Sequence, residues 1–458
     1  MMNQEAYFSV EELFISITDQ NGIIQSGNDV FVRVSGYDRE KLINRPHNVI
    51  RHPDMPKTVF RMLWREIQAG NIMGAYVKNR AVDGKHYWVF ATILPKEGGY
   101  FSMRIKPTSK FFELIPQLYS RILQHEKSNG MDSAEAFLLE QLKGLGFESY
   151  SHFLKEALYE ELKSRDEKIA ESQQSEKKHD TSVNMNKTLF EMASLSERSK
   201  RGTVDLFTSF NGFKEMHSQF SGVSTTILKT CEQLENLSLN MSVMANKLGK
   251  EGPSLSMIAL AFQKSSRDIS GRFSKFGTSV AEIEKAALEM RFSVCVGRLL
   301  VEMLSFFINE TRGKSNSHEA MVEFMRDFHV LSTGVKTTLE WVNESQMSGL
   351  QELKDFLQLT TNLRNQVMSL DLIRIGGKLE GSRTMRTEEV FIPYVNQIVK
   401  HIQSIEEPVL KVAGVTEKML ELYEDVKHNL EEVSSQLLML EMIRYREHRI
   451  IAELEDAA

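Results

Sequence analysis

Residues 74–95 read GAYVKNRAVDGKHYWVFATILP, and residues 99–107 read GYFSMRIKP. Both stretches are rich in aromatic and β-branched residues, which favour strands. The first predicts two strands joined around Asp83 and Gly84, because Asp-Gly is typical of tight hairpin turns. The second predicts one more strand, so this region is expected to form an antiparallel meander of three strands.

The sequence before the meander predicts two further strands and a set of helices. ELFISITD (12–19) predicts a strand that ends in an Asn-Gly turn, and GIIQSGN (22–28) predicts its hairpin partner. DVFVRVSGY and DREKLINRP predict short helices, and KTVFRMLWREIQAG (57–70) predicts an amphipathic helix. Residues 1–110 are therefore predicted to form an α+β domain, with a five-stranded antiparallel sheet and helices on one side of it.

The composition of the whole chain limits its class. A chain of 458 residues exceeds one ordinary core, so two or more domains are expected. The net charge of −6 argues against nucleic acid or an anionic membrane as the main partner. The longest apolar stretches, such as 255–262, are far shorter than the ~20 residues of a membrane span. Without a signal peptide at its start, the chain is predicted to be cytoplasmic, with no membrane span.

Proline and cysteine usage adds two expectations. Five of the nine prolines lie within the first 110 residues. Because proline is disfavoured inside helices, the rest of the chain is expected to form very long helices. Cys231 and Cys295 lack metal-ligand spacing and are predicted to be buried thiols.

Three segments of the first 110 residues carry a family resemblance. They are SGNDVFVRVSGYDREKL (26–42), RPHNVIRHPDMPKTVFRMLW (45–64) and VKNRAVDGKHYWV (77–89). In order and spacing they resemble the PAS domain of aerotaxis receptors of the Aer type. Such domains bind FAD and report the cellular redox state. The resemblance implies five candidate cofactor-pocket residues, namely Asn28, Arg51, His52, Asp54 and Trp64.

The chemistry of these residues suits a flavin. A flavin needs apolar walls for its ring, together with donors and positive charge for its polar edge and phosphates. Arg51 is suited to a phosphate, and Asp54 to holding that arginine or a sugar hydroxyl. The alternative is that Arg51, His52 and Asp54 only cap the helix that starts near Pro56.

One position departs from the family pattern. Family members commonly have a tryptophan just before the VKNR strand, where this chain has Met73. Methionine packs softly against a ring but does not replace its flat surface. Two alternatives to FAD therefore stay open: a haem held by His47, His52 or His86, and no cofactor at all.

Residues 111–184 are predicted to form a helical connector. Helical patterns run to about 165, with breaks at Gly130, Gly144 and Gly146. The stretch 171–187 is polar all round, which is consistent with a solvated helix or with a flexible hinge.

Residues 185–458 are predicted to form a long helical bundle. Apolar residues recur at steps of three and four, as in coiled coils. Breaks at 249–253, 312–316 and 376–383 lie about 65 residues apart, or roughly 100 Å of helix. Four antiparallel helices in two hairpins follow, with tips near 249–253 and 376–383.

The first of these breaks carries a second resemblance. LNMSVMANKLGKEGPSLSMIALAFQKSS (239–266) resembles the hairpin tip of methyl-accepting chemotaxis proteins. Met244 stands where that family has a glutamate, and Gln263 where it has an arginine. In the family this region contacts other receptors and the proteins CheA and CheW. The resemblance implies a partner at the tip, and the two hairpins in one chain suggest a covalent mimic of a receptor dimer. Whether two such chains form a dimer stays open.

The sequence lacks familiar enzyme signatures. No P-loop, GxSxG, HExxH or paired CxxC occurs in it, which favours a non-catalytic protein. The predicted function is a cytosolic redox or energy sensor that relays a conformational signal through the bundle to a protein partner. Two alternatives are a PAS scaffold that recruits a partner outside chemotaxis, and a flavin-dependent redox protein.

Overall fold

The computed structural model of the chain describes residues 4–173, 187–209, 211–311, 318–383 and 385–456. The chain divides into two compact units. The first contains Met1–Phe207, Leu288–Val342 and Asn429–Ala458, and the second contains Thr208–Ala287 and Asn343–His428. The predicted break at 312–316 and most of the polar stretch 171–187 lie outside the described residues.

The first unit begins with a five-stranded antiparallel sheet. Its strands are β1 (Phe14–Asp19), β2 (Ile24–Gly27), β3 (Met73–Arg80), β4 (His86–Lys96) and β5 (Gly99–Ile105). Their order in the sheet is β2-β1-β5-β4-β3. The hairpin of β3 and β4 and the return through β5 are the predicted meander. The predicted α+β fold of this region is confirmed.

Short helices connect β2 to β3. They are α1 (Asp29–Ser35), α2 (Arg39–Leu42), a 3₁₀ turn (His47–Ile50) and α3 (Lys57–Gln68). The side chain of Asn28 caps α1 by accepting a hydrogen bond from the Phe31 backbone N–H. Helix α3 is amphipathic and buries Val59, Met62, Leu63 and Ile67 against the sheet side of the domain.

Two longer helices follow the sheet, α4 (Lys110–Gly144) and α5 (Tyr150–Gln173). Helix α4 is interrupted at Gly130, which has φ 82° and ψ 173°. Glycine adopts this backbone conformation far more readily than any residue with a side chain. Beyond the bend, α4 lies against α3, where Arg61 donates to Asp132 at 2.6 Å and to Glu135 at 2.8 Å.

The remaining helices are α6 (Lys187–Ser209), α7 (Asn211–Lys247), α8 (Gly252–Thr311), α9 (His318–Gly381) and α10 (Met385–Asp456). The C-terminal half is thus mostly helical, as predicted. Cys231 of α7 and Cys295 of α8 are buried free thiols, and burial raises the pKa of each to about 12.

The second unit contains both turns that the sequence placed near its glycines. Helix α7 ends at Lys247, and a 3₁₀ turn (Gly249–Glu251) leads into α8. The second turn falls within the predicted range 376–383 but begins late in it, because α9 continues through Gly376 and Gly377 and ends only at Gly381. A Cβ atom on Gly377 would lie 3.2 Å from Ile258 Cγ2. This glycine therefore serves close packing between helices rather than a turn.

One helical stretch within the described residues, Ala281–Asn309, is long and apolar enough to cross a membrane, with a mean hydropathy of 1.5. Charged residues interrupt it in the sequence, among them Arg291, Arg298 and Glu302. Most of the stretch (83%) is buried inside the protein, and the core helix of a soluble protein meets the same criterion. Taken alone, it is weak support for a membrane span.

Candidate ligand-binding site

The first unit contains a cavity of about 350 Å³ between the sheet and α3. This volume lies within the range typical of small-molecule sites. Helix α3 contributes an apolar wall formed by Phe60, Leu63, Trp64 and Ile67. The remaining lining residues come from the strands and from the segments that follow β1 and precede α3.

The sheet contributes a polar floor. Alternate residues of a strand point to the same face, so each strand offers every second side chain to the cavity. The polar residues among them are Ser16 and Thr18 of β1, Asn79 of β3, and Tyr100, Ser102 and Arg104 of β5. Three neighbouring strands, β3, β4 and β5, together with β1, thus bring distant parts of the sequence to one surface.

Arg104 is the most buried charge of this floor, with 5% of its surface exposed. Its Nη2 donates to His47 Nε2 at 2.7 Å and to Ser16 Oγ at 2.9 Å. His47 also stacks on Phe31, with ring centroids 5.7 Å apart, which fixes the plane of the imidazole. Burial lowers the pKa of Arg104 to about 10, so the guanidinium stays charged at neutral pH.

The imidazole of His47 is neutral. Burial, and then the nearby charges of Arg104 and Arg51, hold the pKa of His47 well below its ordinary value. Since Nε2 accepts the hydrogen bond from Arg104, the remaining ring proton sits on Nδ1. The histidine therefore adds no charge to the cavity.

Four buried polar atoms at the cavity lack a hydrogen-bond partner among the residues that the structure describes. They are Arg51 Nε, Asn79 Nδ2, Ser102 Oγ and Arg104 Nη1. Buried polar groups are nearly always hydrogen-bonded, so such a cluster points to a missing acceptor. The lining residues, all within 16–104, include two arginines and no aspartate or glutamate. The cavity is thus suited to a ligand that is anionic or rich in acceptors.

Two of the five candidate residues line this cavity. The guanidinium of Arg51 lies 3.8 Å from the ring centre of Phe60, and burial lowers its pKa. Trp64 meets Tyr100 edge to face, with centroids 5.4 Å apart. A short antiparallel bridge between Arg51 and Asn79 aligns the segment before α3 with the edge of β3.

The other three candidates lie outside the cavity. The amide of Asn28 accepts from the Ile15 N–H at 3.0 Å and donates to the Leu13 carbonyl at 2.8 Å, so it joins β1 to α1. His52 Nδ1 accepts from the Asp54 N–H at 3.1 Å, and burial lowers the pKa of His52. The carboxylate of Asp54 is exposed and pairs with Lys78 at 2.7 Å, a hydrogen bond that lowers the pKa of Asp54.

Met73 and the histidines bear on the choice of cofactor. Met73 is buried in β3 and is not among the cavity-lining residues. Of His47, His52 and His86, only His47 lines the cavity. His52 and His86 instead pack against each other, with ring centroids 6.3 Å apart.

Sequence reasoning missed Arg104, Ser102 and Asn79. Each is a buried polar residue, at a position that alternation along the strand places on the same face as buried apolar neighbours. An arginine in such a place is a usable signal, because a charge in a sheet core requires a partner.

The opposite face of the sheet is attached to α5. Tyr76 of β3 donates to Glu161 Oε1 at 2.7 Å. The same carboxylate accepts from Ser109 Oγ at 2.7 Å and from the backbone N–H groups of Thr108 and Ser109 at 2.6 and 3.0 Å. Although burial raises the pKa of Glu161, these donors hold both of its oxygens. Strand β3 thus contacts the cavity on one face and α5 on the other.

Comparison with known proteins agrees with this architecture. Residues 25–99 match the family model described as the PAS fold. The N-terminal domain is a PAS domain. Over 113 residues the chain is 41% identical to the aerotaxis receptor of Escherichia coli (strain K12), which covers 24% of this chain and 22% of the receptor. The chain therefore spans only about a fifth of the length of that relative.

Solved structures also match about a fifth of the chain. One is the LOV domain of a blue-light-activated histidine kinase from Erythrobacter litoralis, with 18% identity over 20% of this chain and 92% of that one, and a TM-score of 0.19. Another is a PAS domain from Colwellia psychrerythraea, with 22% identity over 21% of this chain and 86% of that one, and a TM-score of 0.19. Because these scores are low, the fold assignment rests on the sheet topology and the family match.

Proposed function

We propose that the chain is a redox or energy sensor whose PAS domain holds FAD and relays a change at the cavity to the helices behind it. The PAS domain and its similarity to an aerotaxis receptor support a sensor role in signal transduction. The observation that carries the relay is the two-sided position of β3. Val77 and Asn79 line the cavity, while the side chain of Tyr76, which precedes Val77 in the strand, reaches Glu161 of α5 on the opposite face.

The residues present fit a flavin. Trp64 and Phe60 offer flat apolar surface for a ring, and Arg51 offers a fork for a phosphate. Asn79, Ser102 and Arg104 offer unpartnered donors and positive charge to a ring edge rich in acceptors. FAD, when bound, supplies a ring that accepts and releases electrons and so changes its charge and hydrogen bonding.

Helix α5 is the element that receives the signal in this proposal. Besides Glu161, it carries Arg165, whose Nε donates to the Val10 carbonyl at 2.9 Å and so holds the segment before β1. Arg165 also pairs with Glu302 of α8, and Glu302 accepts from Arg298 Nε at 2.8 Å. Arg298 in turn pairs with Asp166 of α5. In this proposal a shift of β3 is transmitted to α8 through these ion pairs.

The relay requires two arrangements of similar free energy, which the ligand biases by binding one of them better. In this scheme residues 1–110 sense, residues 111–184 connect, and residues 185–458 form the output bundle. The output would be read at the turns near 249–253 and 376–383 by a cytoplasmic partner, with CheA and CheW as the first candidates. The proposal includes no nucleic-acid partner.

A second candidate function is a scaffold that recruits a partner outside chemotaxis. It is favoured by the side chains around the first turn, where Val243 and Met257 are 54% and 73% exposed. Met244, partly exposed, adds a further apolar group where the resembling family has a glutamate. An apolar surface of this kind selects a different partner from a charged one.

The test begins with the absorption spectrum of the purified full-length chain. A flavin spectrum supports the proposal, whereas a haem Soret band or the absence of any chromophore after reconstitution contradicts its cofactor. Hydrogen exchange of α5 peptides is then compared between the oxidised and reduced protein. The relay is supported if exchange differs in the unmodified chain and the difference shrinks in Tyr76→Phe. Binding assays with purified CheA and CheW separate the two candidate functions.

A further inference from the structure

The inner end of the cavity contains a buried positive charge that the proposed function alone does not explain. We propose that Arg104 makes the cavity bind the reduced, negatively charged form of its flavin more tightly than the oxidised form. The inference rests on the proposed function, since it requires a flavin in the cavity. It adds a role for one residue, namely setting the reduction potential of the ligand.

Arg104 has no counter-ion among the residues that line the cavity. Its Nη2 is satisfied by two uncharged groups, His47 and Ser16, while Nη1 has no partner among the described residues. The lining of the cavity includes no carboxylate. A buried guanidinium without an acidic partner is costly, and the cost is offset when an anion occupies the adjacent space.

The groups around Arg104 in the cavity lining bring no negative charge that would neutralise it. His47 accepts from Arg104 and is held in plane by Phe31, so it positions the guanidinium without adding a charge. Phe31 itself lies with its ring centre 5.5 Å from the Arg104 guanidinium carbon. The positive charge of Arg104 thus remains available to a ligand.

The two arginines of the cavity differ in position and in burial. Arg51 is partly exposed and stacks on Phe60, at the segment that precedes α3. Arg104 lies on β5 and is almost fully buried. A ligand with two electronegative regions therefore matches the cavity best when its phosphates approach Arg51 and the acceptor edge of its ring approaches Arg104, Ser102 and Asn79.

The charge that a flavin gains on reduction explains why Arg104 would favour the reduced form. When a flavin ring takes up two electrons and one proton from an external reductant, the ring gains one negative charge and the reductant is oxidised. In the test that reductant is dithionite. Arg104 attracts the added charge, which lies on the acceptor edge of the ring, and so stabilises the reduced form relative to the oxidised one.

The experiment uses the full-length chain reconstituted with FAD. Arg104→Met removes the charge at similar length, Arg104→Lys retains a charge, and Arg80→Met is the control, because Arg80 lies at the exposed end of β3 outside the cavity. For each variant, flavin content is measured by absorption and the reduction potential by titration against a reference dye. We expect Arg104→Met to weaken binding of the reduced form about tenfold relative to the oxidised form, which lowers a two-electron potential by about 30 mV.

A second measurement uses the unmodified chain and does not depend on the folding of any variant. On the acidic side of neutrality, its potential is expected to fall by about 30 mV per pH unit, which corresponds to one proton for two electrons. Free FAD is titrated in parallel as the reference. A slope of about 59 mV per pH unit means that the bound ring takes up two protons and stays neutral, which would overturn the inference.

The outcomes separate this inference from the proposed function. If the unmodified chain binds no flavin, the cofactor proposal fails and this inference fails with it. If flavin binds and Arg104→Met has the same potential as the unmodified chain and Arg80→Met, only the role of Arg104 is refuted. If Arg104→Lys retains the potential that Arg104→Met loses, the charge rather than the shape of Arg104 is responsible.

Discussion

Replacing Glu302 by glutamine removes the carboxylate that Arg165 of α5 and Arg298 of α8 share. All three side chains are buried, with exposed fractions of 2–4%. Burial alone would raise the pKa of Glu302, but the two arginines lower it from 4.5 to about 2. At about 1.4 kcal/mol per pKa unit, the ionised carboxylate contributes about 3 kcal/mol to stability at neutral pH. This agrees with the roughly 3–5 kcal/mol lost when one partner of a buried ion pair is removed.

The sign of the pH dependence follows from the lowered pKa. Because the folded-state pKa of Glu302 lies below its unfolded value, its contribution is fully present above about pH 4.5 and is lost as the pH falls towards 2. The unmodified chain should therefore lose stability steeply over this window. Glu302→Gln should be less stable at neutral pH and should lack this part of the acid dependence.

The assay is hydrogen exchange of peptides from α5 and from residues 288–311. A local readout is required because proteins with more than one compact unit do not generally unfold in one step. At neutral pH we expect exchange in these peptides to be about 100-fold faster in Glu302→Gln, as about 3 kcal/mol implies. Glu282→Gln, an exposed position on the same helix, is the control. Equal protection in Glu302→Gln and Glu282→Gln, with the same loss of protection in acid, would refute the reasoning.

Three further predictions concern single contacts. Tyr76→Phe removes the hydrogen bond to α5 and should destabilise the first unit by about 1–2 kcal/mol, which is visible as faster exchange in α5; unchanged exchange contradicts the proposed link. Asn28→Ala removes the α1 cap and two buried hydrogen bonds and should lower thermal stability by about 1–3 kcal/mol. Loss of ligand from a fully stable Asn28→Ala protein would instead place Asn28 in the site. Gly349→Ala should destabilise the second unit by about 1–3 kcal/mol, because its Cβ would lie 2.4 Å from Tyr423 Oη. Gly414→Ala, with open space around its Cβ, should stabilise by up to about 1 kcal/mol, and calorimetry distinguishes the pair.

The order of strands and helices in the PAS domain was predictable because its signals are local. Alternation marked the strands, Asp83-Gly84 marked a hairpin, and the apolar face of 57–70 marked α3. The helical character of the C-terminal half was equally visible in its apolar periodicity. Each of these features depends on neighbours within a few residues along the chain.

The floor of the cavity was not predictable in the same way. Ser16, Asn79 and Arg104 are far apart in sequence, and only the register of β1, β3, β4 and β5 brings them together. The resemblance supplied Arg51 and Trp64, which line the cavity, but also His52 and Asp54, which face Lys78 and His86 instead. A sequence motif shows which residue types occur at which positions. The direction of each side chain depends on how the segment before α3 packs against β3, which the motif does not show.

The glycines of the second unit illustrate a further limit. Gly376 and Gly377 resembled a turn, yet the helix continues through both of them. A missing side chain serves equally to reverse the backbone and to let two helices approach, and the sequence does not distinguish these uses. Only the neighbouring Ile258 shows that close approach is the reason at Gly377.

The number of residues in α4 before the bend at Gly130 sets the direction in which the part of α4 beyond the bend faces. Each residue added to a helix rotates everything beyond it by about 100°. One residue inserted between Lys110 and Gly130 would therefore swing Asp132 and Glu135 away from Arg61, although no atom of either helix had been removed. Insertions and deletions in this segment should be tolerated when the number of residues restores the rotation of the helix. The lengths that are tolerated would therefore show which face of α4 has to meet α3.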